Sequence, residues 1–144
     1  MSVPPIARDL ALLIVRVGIG VVFVAHGWQK VNDIGVDNVA AGFEQMDVPL
    51  ATASAWFAAL VELGGGVALI AGALTPVVGL LLAADMVGAW IFVHAGNGIF
   101  VDQGGAELVI ALGAASLTLA AVGAGRFSVD HAVGASRRVS RARA

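Results

Sequence analysis

Four long apolar stretches constrain this chain more than any other feature of its sequence. They cover roughly residues 9–28, 54–73, 77–95 and 105–123. Each has about 20 residues, which is the length that an α-helix needs to cross a hydrocarbon core about 30 Å thick. The sequence therefore predicts an all-α integral membrane protein in which four transmembrane helices form a bundle.

The composition favours the same class of protein. Of the 144 residues, 59% are hydrophobic and 12% are charged, whereas an average soluble domain has roughly 25% charged residues. A soluble domain of this size exposes a large share of its surface, so it could not hide so many apolar side chains from water. The net charge of −2 excludes a global basic field for nucleic acid. Because the chain has no cysteine and its three histidines show no metal-binding spacing, we expect neither a disulfide nor a metal site.

The chain divides into a short N-terminal segment (residues 1–8), a bundle (residues 9–134) and a basic tail (residues 135–144). The polar stretch between the first two spans is long enough for a short surface helix around Val39 to Met46. The second and third spans are joined so closely at Thr75-Pro76 that they must form an antiparallel hairpin.

Charged residues outside the spans predict the orientation of the bundle in the membrane. The loop after the first span is acidic, whereas the tail carries Arg137, Arg138, Arg141 and Arg143. The positive-inside rule places this tail, and with an even number of spans also the N-terminus, in the cytoplasm. The first span could be a signal peptide, but Arg16 interrupts it and "AHG" is a poor cleavage sequence, so we expect an uncleaved helix.

Seven ionisable residues lie within or beside the apolar spans, and they are the candidates for ligand binding or proton handling. Counted along the spans, Arg16, Glu62 and Asp85 fall near the membrane midplane, and His26, Lys30, His94 and Glu107 fall near the outer boundary. One charged side chain at the bilayer centre costs about 2.5–3.5 kcal/mol. We therefore expect these side chains to face each other inside the bundle.

Because Arg16, Glu62 and Asp85 share a depth in the membrane, we expect an ion pair between Arg16 and either Glu62 or Asp85. One carboxyl group is then in excess, and we expect it to be protonated or neutralised by a neighbour or a ligand. Purely structural roles are the alternative: the ion pair could fix the register of the helices, and Lys30 could extend to the headgroups. Glu107 could stabilise the first turn of its helix. Three consecutive glycines, Gly64 to Gly66, could serve close helix packing or the approach of a flat ligand.

Four motifs, in order, carry a resemblance to a known family. They are "HGWQK", "ELGGGVALIAGALT", "DMVGAWIFVHAGNGIF" and "GGAELVIALGAASLTLAAVGAGRFSVD". Together, from about residue 8 to residue 131, they resemble the DoxX family of small four-span bacterial membrane proteins. The family-like polar positions are Arg16, His26, Lys30, Glu62, His94, Glu107, Arg126 and Asp130, with Asp130 as a local partner of Arg126.

The resemblance implies a multi-pass protein of the bacterial cytoplasmic membrane with a link to redox physiology. Members of the family are associated with a thiosulfate:quinone oxidoreductase and with a complex that contains superoxide dismutase and a sulfurtransferase. A quinone is therefore the cofactor or substrate that the resemblance implies, and no catalytic residue is assigned by it.

Three functions follow from these observations. The first is the small membrane subunit of a redox-linked assembly, related to quinones or oxidative stress, which is not a stand-alone oxidase. The second is a scaffold that recruits soluble enzymes through the basic tail or the loops. The third is a transporter of a small solute or of protons, which would need a homo-oligomer. The expected partners are the lipid bilayer, soluble redox enzymes and further copies of the chain, but not nucleic acid.

Overall fold

The computed structural model describes residues 4–142, and this part of the chain is helical without any strand. Its α-helices are α1 (Pro5–Trp28), α2 (Val36–Gln45), α3 (Ala51–Ala71), α4 (Thr75–Ala89), α5 (Glu107–Val122) and α6 (Val129–Ala142). Two π-helical segments extend α1 and α4, at Gln29–Ile34 and Trp90–His94, and a 3₁₀ turn covers Val101–Gln103. The predicted all-α fold class is confirmed.

Three helical segments of the described part are long and apolar enough to cross a membrane. They are Pro5–Ile34, Ala51–Ala71 and Thr75–His94. The fourth apolar helix, α5, has 16 residues and a length of about 24 Å, which is short for a hydrocarbon core of about 30 Å. Three to four helices could therefore span a membrane, and the side that each end faces stays a prediction.

The helices pack as two main pairs, α1 with α3 and α4 with α5. The short α2 lies against α3, and α3 and α4 are joined by their hairpin. Phe23, Leu69, Leu82 and Leu119 are fully buried between the helices. Large apolar side chains also cover the outside: Ile14, Leu60, Leu80 and Leu117 are all more than half exposed. Such a surface is suited to lipid, because water-soluble monomers rarely expose large contiguous apolar patches.

Small residues allow α1 and α3 to approach closely. A Cβ atom added to Gly66 would lie 2.7 Å from the Gly20 carbonyl oxygen, and one added to Gly20 would lie 2.9 Å from the Gly66 oxygen. Neither position has room for a side chain. In contrast, a Cβ atom on Gly64 would meet nothing within 4 Å. Close helix packing therefore explains why position 66 is a glycine, but it does not explain the glycine at position 64.

Two segments differ in extent from their predicted forms. The surface helix begins at Val36, three residues before the expected start, because Gly35 with φ = 84° lets the chain turn directly after the π-helical segment. The first eight residues of the predicted basic tail continue α6 as far as Ala142, and residues 143–144 lie outside the described residues.

Candidate functional site

A cavity of about 440 Å³ lies in the half of the bundle that is next to α2. Five of the seven candidate residues line it: His26, Lys30, Glu62, Asp85 and His94. The rest of the wall is predominantly apolar and includes four phenylalanines, Phe23, Phe43, Phe57 and Phe92. The structure thus brings five of the seven predicted residues, from three of the four predicted spans, to one cavity.

An ion pair between Lys30 and Glu62 connects the π-helical extension of α1 to the middle of α3. The Lys30 Nζ atom lies 2.5 Å from Glu62 Oε2, and the side chains are 18% and 6% exposed, respectively. The distance between the two groups is short, and both side chains are largely shielded from solvent. Each charged group therefore has the other as its partner in place of water. The polar end of the cavity is organised around this pair.

Asp85 on α4 adds a second carboxyl group to the same end of the cavity. It is close enough to interact electrostatically with both Glu62 and Lys30. Its Oδ2 atom is buried and has no hydrogen-bond partner among the described residues. A buried polar atom without a partner is uncommon in proteins and calls for a physical explanation, such as a role in chemistry or ligand binding. Two carboxyl groups therefore face one ammonium group.

Two histidines border the cavity from opposite helices. His94 Nδ1 lies 2.6 Å from the carbonyl oxygen of Gly104. Since a carbonyl oxygen can only accept a hydrogen bond, Nδ1 is the donor, and in the neutral ring Nε2 is left as an acceptor. His26 is half-buried on α1, one helical turn before Lys30.

Both π-helical segments carry a residue of this site. Lys30 belongs to Gln29–Ile34, and His94 is the last residue of Trp90–His94. A π-helical turn is wider than an α-helical turn and redirects the side chains that follow it, and such turns occur frequently at functional sites. The sequence pattern of apolar residues does not reveal this change of pitch.

Arg16 lies away from the cavity, and its predicted pairing with Glu62 or Asp85 is wrong. The guanidinium group, in a residue that is 2% exposed, donates from Nη1 to the carbonyl oxygen of Ala124 at 3.1 Å and from Nη2 to that of Phe127. These carbonyls follow the end of α5, where the chain is no longer helical. Backbone carbonyl groups beyond the end of a helix need other partners when they are withdrawn from water, and Arg16 supplies them.

Glu107 also lies outside the cavity. Its Oε1 atom accepts a hydrogen bond from the backbone N–H of Val101 at 2.8 Å. The side chain therefore holds the 3₁₀ turn against the start of α5. This structural contact differs from the predicted stabilisation of the first turn of the helix.

Asp130 has a role that its spacing from Arg126, the predicted partner, does not reveal. Its carboxylate instead accepts hydrogen bonds from the backbone N–H groups of Leu74 and Thr75, at 2.7 and 2.9 Å. It thus satisfies free donors at the start of α4. Burial opposes the charged form of Asp130, but these hydrogen bonds and the charge of Arg16 outweigh it and lower the pKa below its ordinary value. The partner of the Arg126 backbone N–H is Asp9 Oδ1, at 3.2 Å.

Comparison with known proteins identifies relatives of this chain. The DoxX family model matches residues 11–95. A Bacillus subtilis (strain 168) protein named "Putative oxidoreductase CatD" is 33% identical over 85 residues, which are 59% of this chain and 60% of that protein. The match thus spans about three-fifths of the relative's length. No solved structure matches the chain.

Proposed function

Because this chain belongs to the DoxX family, we propose that it is the small membrane subunit of a redox-linked assembly and that its cavity binds a quinone-type molecule. The observation that carries the proposal is the juxtaposition of the Lys30–Glu62 ion pair and the unpartnered Asp85 Oδ2 atom in one cavity. A relative named as an oxidoreductase supports a redox role.

The cavity has the size and chemistry for such a ligand. Its volume of about 440 Å³ falls within the range of about 300–1,000 Å³ that is typical of small-molecule sites. Phenylalanine side chains offer flat apolar surfaces for a ring. Lys30 Nζ and a ring nitrogen of His26 can donate hydrogen bonds to carbonyl oxygens of a quinone, and His94 Nε2 can accept one from a hydroxyl group of the quinol.

The charges of the site suit proton-coupled chemistry. If Lys30, Glu62 and Asp85 were all ionised, the group would carry one uncompensated negative charge in a poorly solvated place, which is costly. We therefore propose that the two carboxyl groups hold one proton between them. Conversion of a quinone to a quinol takes up two electrons and two protons. The carboxyl groups relay both protons from solvent to the ligand one at a time, so that the site returns to its starting charge after each transfer.

The electrons must come from a partner. We assign them to a redox centre of the flavin, iron–sulfur or dithiol class in a soluble enzyme, since this chain has no cysteine of its own. The proposed setting is the bacterial cytoplasmic membrane, with both termini in the cytoplasm. There, α6 offers a contact surface, because residues 131–136 are all exposed. The same exposure favours the scaffold as a second function, and the two functions are compatible.

Quinone binding to the purified protein in lipid nanodiscs tests the proposal. Decylubiquinone quenches nearby tryptophan, and Trp90 lies next to the cavity-lining residue Ala89. We expect saturable quenching in the wild type and an affinity about tenfold or more lower in Glu62→Gln, because a charge-assisted hydrogen bond is worth about 1.5–3 kcal/mol. Glu44→Gln, an exposed residue of α2 outside the cavity, is the matched control and keeps wild-type affinity.

Absence of saturable binding in the wild type would contradict the proposal. An unchanged affinity in Glu62→Gln would do the same. For the scaffold, recovery of a soluble partner should survive Glu62→Gln and be lost when residues 135–144 are removed.

A further inference from the structure

We infer that the ligand is an amphiphile whose polar ring lies beside Lys30 and Glu62 and whose apolar tail leaves the cavity between α3 and α4 into the lipid. This inference rests on the proposed function and adds the class of ligand and the route by which it enters. The exposure and chemistry of the cavity wall carry it.

The wall changes from polar and buried to apolar and exposed. Its inner part contains the buried residues Glu62 and Met86. Five lining residues are also exposed on the outside of the protein and thus mark the opening: Met46, Phe57, Ala84, Phe92 and Val101. All five are apolar. A ligand that arrived from water would meet five exposed apolar side chains at this opening, whereas a ligand dissolved in lipid would not lose favourable contacts there.

The depth of the opening places part of it within the hydrocarbon layer. Ala84 is the tenth of the 20 residues in the apolar segment Thr75–His94. With a rise of about 1.5 Å per residue, it lies close to the middle of this span. At that depth, the surroundings of a spanning helix are acyl chains. The exposed side of Ala84 therefore faces lipid, while the residue also lines the cavity.

Small residues on α4 keep the opening wide. Ala84 and Gly88 are four residues apart and lie on the same face of the helix. A Cβ atom added to Gly88 would meet no heavy atom within 4 Å. Gly79 on the same helix differs, since its added Cβ atom would lie 2.7 Å from the Ser116 carbonyl oxygen. Thus α4 uses Gly79 for packing against α5, whereas the space beside Gly88 is open.

The polar end of the cavity and its apolar opening match the polar ring and the apolar tail of one molecule. The Lys30–Glu62 pair binds polar substituents of a ring, and the phenylalanines Phe57 and Phe92 flank the exit of an apolar tail. Isoprenoid quinones have this form, and other ring-headed lipids share it. A small polar solute has nothing to place between Phe57 and Phe92.

The test compares a tailed and a tailless probe of the same ring. Decylubiquinone and dimethoxymethylbenzoquinone are titrated into nanodiscs that contain the wild type, Gly88→Leu or Gly64→Leu. Gly64 is the matched control, because it is also a helical glycine with nothing within 4 Å of an added Cβ atom, yet it does not line the cavity. Ala84→Leu is the second blocking variant, and a thermal melt confirms that each protein is folded.

We expect Gly88→Leu and Ala84→Leu to weaken decylubiquinone binding at least about tenfold and to change the affinity for the tailless ring less than about threefold. Gly64→Leu should bind both probes like the wild type. If the blocking variants bind decylubiquinone normally, the lateral exit is wrong while the proposed function stands. If the wild type binds neither probe, the proposed function itself fails.

Discussion

Lys30 and Glu62 bind each other across the interface of α1 and α3, with 2.5 Å between Nζ and Oε2. Lys30 comes from a π-helical segment, and Glu62 comes from a helix that approaches α1 through Gly20 and Gly66. The close backbone contact brings the two helices together, and the ion pair joins them at the polar end of the cavity.

The first prediction concerns the energetic coupling of this pair. Lys30→Met leaves two carboxyl groups without their cation, and Glu62→Gln weakens the partner of the lysine. We expect each single variant to lower the free energy of unfolding by about 1–3 kcal/mol, since a buried polar group loses its partner. The double variant should lose less than the sum of the two. Unfolding by a denaturing detergent, followed by tryptophan fluorescence, measures all three values, and strictly additive losses would show that the residues are not coupled.

A second prediction separates Arg16 from the cavity. Arg16→Lys retains the charge but cannot reproduce the planar group that donates to both Ala124 and Phe127. We expect a loss of stability of about 1–3 kcal/mol, with decylubiquinone affinity within about twofold of the wild type. A variant of normal stability that no longer binds the quinone would place Arg16 in the ligand site instead.

The third prediction is a pH dependence that comes from Asp130. Because its pKa is lowered in the folded protein, the carboxylate contributes stability that is complete above the unfolded pKa of about 3.9 and is lost as the pH falls through the folded value. Asp130→Asn should therefore lower the free energy of unfolding by about 1 kcal/mol at neutral pH, the typical value of a helix cap. The difference from the wild type should shrink progressively below about pH 4. A difference that stays constant over this acid range would contradict the assigned role.

A matched pair of glycines provides the fourth prediction. Gly66→Ala places a Cβ atom 2.7 Å from the Gly20 carbonyl oxygen, so α1 and α3 must move apart. Overpacking of this kind typically costs about 1–3 kcal/mol. Gly64→Ala meets open space and should stabilise the helix by up to about 1 kcal/mol. The same unfolding measurement decides: equal effects of the two substitutions would mean that Gly66 does not hold the interface.

Hydropathy was sufficient to predict the apolar helices, because the length of an apolar run is a local property of the sequence. The ends of the helices are harder to predict from the sequence. The π-helical continuation of α1 runs through the polar residues Lys30, Asn32 and Asp33, which by composition indicate a loop. The short α5 depends on the glycines that follow Val122 and on the tertiary contact of Arg16.

Depth along each span predicted that ionisable residues would meet, but it paired them incorrectly. Arg16 was assigned to the acids, although the carbonyls of a non-helical segment more than 100 residues away bind it. Counting residues along a helix cannot identify such an acceptor, since it belongs to the backbone of another part of the chain. Lys30 was expected at the outer boundary, yet its long flexible side chain reaches Glu62.

The shared proton of Glu62 and Asp85 is best tested by infrared difference spectroscopy, which records the C=O stretch of protonated carboxyl groups. Spectra of the protein in nanodiscs at neutral pH, with and without decylubiquinone, report whether such a group responds to the ligand. We expect a protonated-carboxyl band that shifts on binding in the wild type and is lost or altered in both Asp85→Asn and Glu62→Gln, but not in Glu44→Gln. A wild-type spectrum without this band, or a band that neither cavity variant changes, would contradict a proton held between the two carboxyl groups.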